Sequence, residues 1–122
     1  MHIGPSIGDA HFAIEAYDAD SITINQMKYS DNILLLKNQL ASPWVRKSVV
    51  DLVADDFDEI ISAKPQTLIV GTGSKHIFFS SEIMALFQQA RIGLETMTTP
   101  AACRTYNILA SEGRNVAGLF FI

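Results

Sequence analysis

The sequence predicts an α/β domain whose second half is a β-α-β-α-β unit ending in a glycine-marked crevice, and three observations predict it. Thr67-Leu68-Ile69-Val70 is a continuous apolar, β-branched run that stops at Gly71-Thr72-Gly73, the pattern of a strand covered on both faces. Ile83, Leu86, Phe87 and Ala90 fall at i, i+3, i+4 and i+7, which gives a helix one apolar face. Strand-like and helix-like segments of these lengths then alternate to the C-terminus, which implies a sheet with helices packed on it.

Size and composition set the class. A chain of 122 residues that is 48% hydrophobic and 18% charged is large enough for one core, so residues 1–122 are expected to form a single domain. No apolar run approaches the ~18 to 20 residues of a membrane span. Met1 to Ala10 has no basic segment followed by an apolar one, so no secretory signal is read and a cytoplasmic setting is expected. The lone cysteine, Cys103, excludes an internal disulfide, and a net charge of -4 without a basic stretch argues against nucleic-acid binding.

In the first half, Ile22 and Ile24 alternate with Thr23 and Asn25, and Ile33-Leu34-Leu35-Leu36 is a short apolar run; both suit short strands. Asn25-Gln26 is placed to turn a hairpin, although Gln26 stands where a tight primed turn favours glycine, so a looser turn is expected. Ser42-Pro43-Trp44 has the form of a helix start, yet Val45, Val49 and Val50 are β-branched, and extended structure is expected there. From about Ala54 to Ala63, Phe57, Ile60 and Ile61 recur at helical spacing. Asp55, Asp56 and Asp58 sit where a helix N-terminus favours negative charge, and Lys64-Pro65 ends the segment. With Glu59 these acids read as a solvated face, not as a metal cluster.

In the second half, Ser81 is expected to cap the helix over Ile83 to Ala90 and Gly93 to close it. Gly93 to Met97 is a second strand, and Thr99-Pro100 reads as a cap followed by proline at the first helical position. The helix that follows presents Ala102, Tyr106, Leu109 and Ala110 on one side and stops at Gly113, before a strand over Val116 to Phe121. Tyr106 and Trp44 read as core residues with a polar atom to satisfy.

Right-handed crossovers place the C-terminal ends of adjacent parallel strands side by side. The loops Gly71 to Ser81 and Thr98 to Pro100 are therefore expected to share one edge, where open α/β sheets bind ligands. Two helix N-termini would face it, with Lys75, His76 and Arg104 adding positive charge. The binding candidates are Gly71, Thr72, Gly73, Ser74, Lys75, His76, Thr99, Cys103 and Arg104, around a crevice for a carboxylate, a phosphate or an acidic side chain. Plain topology gives the same strand ends without any ligand.

Named motifs do not fit. Gly71-Thr72-Gly73 begins like a dinucleotide fingerprint, but His76 occupies the sixth position and no Walker lysine follows. Ser74 is not centred between glycines as a nucleophile elbow requires. His2, His11 and His76 are too far apart for a local metal motif and read as surface or capping residues. Cys103 falls in the first turn or so of the last helix beside Arg104, which would favour a thiolate with His76 as its base; the alternative is a small buried apolar residue. No catalytic residue, metal or cofactor is assigned.

Ile14 to Tyr17, Leu68 to Gly73, Gly93 to Met97, Thr99 to Asn107 and Glu112-Gly113-Arg114 together resemble a small domain-of-unknown-function family. Its members include bacterial proteins, a mitochondrial complex I (NADH dehydrogenase) assembly factor and an adipogenesis-associated domain protein. The resemblance covers most of the chain. It implies a three-layer α/β fold with a mixed central sheet and an extra N-terminal β ribbon, and it brings no established reaction. Gln26 departs from the turn glycine of the bacterial members, and Lys75 to Ser81 lacks the prolines usual before the helix.

The expected function is a non-enzymatic protein-binding or assembly-factor domain with an unidentified client. The alternative is a small-molecule or anion-binding domain, including a cysteine-dependent enzyme, that uses the crevice. Ile77, Phe78 and Phe79 form either an apolar contact surface on its rim or part of the core, and burial is the default. Oligomeric state is not encoded in any local pattern.

Overall fold

The computed structural model describes residues 12–122. Its order is β1 (Ile14–Tyr17), β2 (Ile22–Ile24), β3 (Met27–Tyr29), β4 (Ile33–Leu35), β5 (Leu40–Ala41), a 3-10 turn at Val49–Asp51, another at Ala54–Phe57 leading into α1 (Asp58–Ala63), β6 (Thr67–Gly71), α2 (Ser81–Ala90), β7 (Gly93–Met97), α3 (Thr99–Ser111) and β8 (Val116–Phe120). The central sheet runs β5-β4-β8-β6-β7, and β1-β2-β3 forms a separate antiparallel ribbon. β6 lies parallel to both β7 and β8, while β4 is antiparallel to β8 and β5, so the sheet is mixed.

Strand alternation sends successive side chains to opposite faces, and this builds two cores. Leu34, Leu68, Val70, Ala117 and Leu119 meet Phe57, Ile60, Ile83 and Phe87 on the α1/α2 side. Ile33, Leu35, Ile69 and Phe120 meet Ala102, Tyr106 and Ala110 of α3, together with Ile14, Ile22 and Ile24 of the ribbon. The result is the three-layer α/β fold with an added ribbon. Tyr106 and Phe120 meet edge to face with centroids 5.8 Å apart. They leave no room for a side chain at Gly118, whose added Cβ would fall 2.5 Å from the Phe120 ring.

Several local expectations change by one residue or more. Asn25 and Gln26 both take positive φ, 48° and 74°, so the hairpin turn is tight despite the missing glycine. Neighbours compensate: the Ala13 N–H donates to Asn25 Oδ1 at 2.9 Å, and the Gln26 N–H donates to Glu15 Oε1 at 2.9 Å. The segment from Ser42 to Val50 forms no strand. The Asn32 side chain holds it, accepting from the Trp44 and Val45 N–H groups at 2.7 and 3.1 Å and donating to the Val45 carbonyl at 2.7 Å. Asp56 and Glu59 are partnered as well, by Lys47 at 2.8 Å and by Trp44 Nε1 at 3.2 Å.

The caps shift too. Ser80, not Ser81, caps α2 by accepting from the Ile83 N–H, and the left-handed Arg91, not Gly93, ends that helix. Thr98 occupies the N-cap position of α3, so Thr99 is its first residue and Pro100 its second. No helix among the described residues is long and apolar enough to cross a membrane.

Candidate functional site

The C-terminal ends of β6, β7 and β8 lie side by side because the three strands are parallel. Three backbone bonds tie them: Thr72 N–H to the Met97 carbonyl at 2.8 Å, Thr99 N–H to the Gly73 carbonyl at 2.8 Å, and Phe121 N–H to the Gly71 carbonyl at 2.9 Å. The Thr99 hydroxyl completes the knot, accepting from the Gly73 N–H at 2.8 Å and donating to the Phe121 carbonyl at 2.5 Å. Gly71 permits that approach, since a Cβ there would lie 2.8 Å from both Cα and Oγ1 of Thr99. The Thr72 hydroxyl pins the following loop by accepting from the Ile77 N–H at 3.0 Å and donating to the Lys75 carbonyl at 2.6 Å.

Beside this knot lies a cleft of about 780 Å³ lined by Thr72, Gly73, Ser74, Lys75, Ile77, Thr99, Pro100, Phe121 and Ile122, and on its far wall by Tyr17, Asp18 and Ala19. A second hollow of about 290 Å³ shares Thr72, Gly73, Phe121 and Ile122 and continues toward Asp31 and Lys47. The far wall is the contribution that sequence reasoning missed. Its signal is Asp18 standing two residues before Asp20, the spacing of an Asx turn, with Ser21 next in line. The Asp18 carboxylate accepts from the Asp20 and Ser21 N–H groups at 2.8 and 2.9 Å and from the Ser21 hydroxyl at 3.2 Å. These bonds, the one from Asp20 first, hold its carboxyl below the usual range.

The structure divides the nine predicted binding residues. Thr72, Gly73, Ser74, Lys75 and Thr99 line the cleft, and Gly71 shapes it from beneath. His76 points elsewhere: its Nε2 meets Thr96 Oγ1 at 2.8 Å and its ring packs against Phe78 with centroids 4.2 Å apart. Arg104 donates to the Tyr17 hydroxyl at 2.9 Å, so it braces the far wall from outside. Cys103 is 1% exposed, among the core residues on the α3 side. Burial pushes its thiol up to about 12, against the weaker opposing effect of Arg104. No hydrogen bond joins Cys103 to His76, so the conditional thiolate pair is not assembled. His2 and His11 lie outside the described residues.

The electrostatics of the cleft are mixed. Lys75 and Asp18 both line it, one charge of each sign, and the cation that acts on the Asp18 carboxylate is Lys28. The first turn of α3 has few donors to offer: the Thr99 N–H is bonded to Gly73, Pro100 has none, and the Ala102 N–H is bonded to the Thr98 carbonyl. Only the α3 N-terminus lines the cleft; the start of α2 does not. Of the three rim residues left open by the sequence, Phe79 is buried and Ile77 packs against the core, while Phe78 stands 77% exposed.

Comparison with known proteins gives the same fold and a family. The family described as "Protein of unknown function (DUF498/DUF598)" matches residues 14–121. NADH dehydrogenase [ubiquinone] 1 alpha subcomplex assembly factor 3 of Rattus norvegicus is 31% identical over 103 residues, covering 83% of this chain and 55% of that protein. The 13 kDa major membrane protein of Francisella tularensis is 33% identical over 73 residues, covering 60% of this chain and 54% of that protein. The chain thus spans about half the length of the curated relatives it matches. Among solved structures, a Xanthomonas campestris protein superposes with a TM-score of 0.84 at 32% identity, over 100% of this chain and 92% of that one. A Mth938-like domain from Bordetella pertussis does so with a TM-score of 0.75 at 26% identity, over 99% of this chain and 90% of that one.

Proposed function

We propose that this chain, which belongs to the DUF498/DUF598 family of proteins of unknown function, is a non-enzymatic docking domain of the assembly-factor kind that grips a protein client through the rim of its cleft. The observation that carries this is Phe78, a large aromatic held 77% exposed against His76 on a loop pinned by Thr72. An aromatic ring left in water on a fixed loop fits a partner's pocket, because buried aromatic side chains dominate interface energy. The named function of the rat relative, an assembly factor, points to the same class of role. A cytoplasmic setting is kept as part of this proposal.

The test is a photo-crosslinking residue in place of Phe78, expressed in the source cells, beside Phe78→Asp and the control Val50→Asp, another exposed apolar position. One protein crosslinked in stoichiometric yield, lost on co-purification with Phe78→Asp and retained with Val50→Asp, is the expected result. A client kept by a well-folded Phe78→Asp would overturn the role of the rim.

The size of the cleft supports a second reading, a small-molecule site, since about 780 Å³ is within the range of ligand pockets. Under that reading a metabolite co-purifies and raises Tm, and a bulky Ser74→Trp abolishes the rise.

A further inference from the structure

β7 is the last strand of the central sheet, and its outer edge has no strand beside it among the described residues. Its inner edge is defined by bonds at both ends: the Gly93 N–H donates to the Gln66 carbonyl at 2.9 Å, and the Met97 carbonyl accepts from the Thr72 N–H at 2.8 Å. Backbone groups alternate along a strand, so Gly93, Glu95 and Met97 face β6 while Leu94 and Thr96 turn their N–H and C=O groups outward. Gly93–Met97 contains no proline, and proteins that need a sheet edge closed commonly blunt it with proline, lysine or a bulge. The other outer strand, β5, has two residues. The ribbon edge at β1 is stitched to α3 by Asn107.

Charge decides what fits beside β7. A second copy added antiparallel in the register that uses all four outward groups is centred on Glu95. That register pairs Leu94 with Thr96 of the other copy and sets two Glu95 carboxylates directly opposite each other, an arrangement that repels. A foreign strand with Lys or Arg opposite Glu95 makes the complementary pair. The outward edge also runs into the Phe78 rim, because His76 bridges them: Nε2 meets Thr96 Oγ1 at 2.8 Å while the ring packs on Phe78.

We propose that β7 is a strand-addition site: the client supplies an extended segment that hydrogen-bonds to Leu94 and Thr96, carries a basic residue opposite Glu95, and sets an apolar side chain against Phe78. The site rests on the docking role given to the rim above and names the chemistry of the partner. Main-chain bonds supply affinity in this mode and the side-chain contacts supply choice of sequence.

The test uses displayed random ten-residue peptides selected on the whole chain, with the enriched peptides remeasured on single-residue variants. Thr96→Pro removes one outward N–H without touching the ladder to β6, Thr96→Val removes the hydroxyl that meets His76 but keeps that N–H, Glu95→Lys reverses the selecting charge, Phe78→Asp removes the rim contact, and Val50→Asp is the control. Enriched peptides rich in Lys or Arg, with backbone amide shifts at Leu94 and Thr96, are expected. They should bind about tenfold more weakly to Thr96→Pro than to Thr96→Val and about fivefold more weakly to Glu95→Lys than to the parent, and should bind Val50→Asp as they bind the parent. Glu95→Gln, which keeps shape and removes charge, should give an intermediate loss. Peptides that lose binding only on Phe78→Asp would overturn strand addition and leave the docking role standing. Selection of acidic peptides, or of none, would overturn strand addition outright, and a stoichiometric client that still needs Phe78 would then keep the docking role separate.

Discussion

The side chain of Asn107 on α3 hydrogen-bonds both backbone groups of Ile14 in the ribbon: Nδ2 donates to the Ile14 carbonyl at 2.7 Å, and the Ile14 N–H donates to Oδ1 at 3.0 Å. One carboxamide thus fastens the ribbon across the α3 face, next to Arg104 and Tyr17. Asn107→Ala should lose about 1 to 3 kcal/mol in urea denaturation, because two partly buried backbone groups lose their partner. Asn107→Asp, which keeps the acceptor and removes the donor, should fall short of the parent as well. A loss below the error of the measurement for both would mean that the ribbon is held by apolar packing alone.

Gly71→Ala places a methyl group 2.8 Å from the backbone of Thr99. Strand and helix must separate to admit it, at about 1 to 3 kcal/mol by the usual cost of overpacking. Calorimetry should show the lower Tm, and amide spectra should move at Gly73 and Phe121, the two groups bonded to the Thr99 hydroxyl.

Thr99→Val removes that hydroxyl and leaves the Gly73 N–H and the Phe121 carbonyl unpaired, a loss of about 1 to 3 kcal/mol. Thr99→Ser should recover most of it in the same denaturation series, since serine keeps the hydroxyl and loses only a methyl group.

Asp56 carries a pH dependence of known sign. The hydrogen bond from Lys47 comes first, then the Val53 N–H, and together they hold its carboxyl below the ordinary value, against a small opposing effect of burial. A depressed carboxyl contributes stability that is complete above its unfolded value, about 3.9, and is lost as pH falls through the lower folded value. Asp56→Asn should therefore cost about 0.5 to 1 kcal/mol at neutral pH, in the range of a lost helix cap and an exposed pair. The gap to the parent should narrow progressively as pH falls below the unfolded value, in urea melts followed by circular dichroism.

Cys103 should be inert in the folded chain. Its thiol is buried and pushed up to about 12, so at pH 8 iodoacetamide should label it only at the rate of unfolding and label it fully in urea, as read by intact mass. Rapid labelling of the native chain would place the thiol at the surface and reopen the cysteine chemistry.

Much of this was legible locally. The run Thr67 to Val70 with its closing glycines marked β6, and the spacings of Ile83 and Phe87 and of Ala102, Tyr106 and Ala110 marked the buried faces of α2 and α3. Caps slipped by one residue, Ser80 for Ser81 and Thr98 for Thr99, because adjacent hydroxyl residues are equivalent in a pattern and only helix register separates them. The stretch after Ser42 reads as extended from its valines, but its shape is imposed by Asn32, about a dozen residues upstream. The wall formed by Tyr17 and Asp18 was missed for the same reason, being brought to the strand ends by the ribbon.

The sequence by itself determined the order of strands and helices and which face of each is apolar, because periodicity and punctuation are properties of neighbouring residues. It also carried enough of the family's motifs to identify the layered fold. Only the tertiary structure decided that Phe79 enters the core while Phe78 stays in water, that Cys103 faces away from the cleft, and that β7 ends the sheet with Leu94 and Thr96 turned outward. Those outcomes depend on which segments pack together across the fold, and no local pattern in a single chain specifies the partner it will meet.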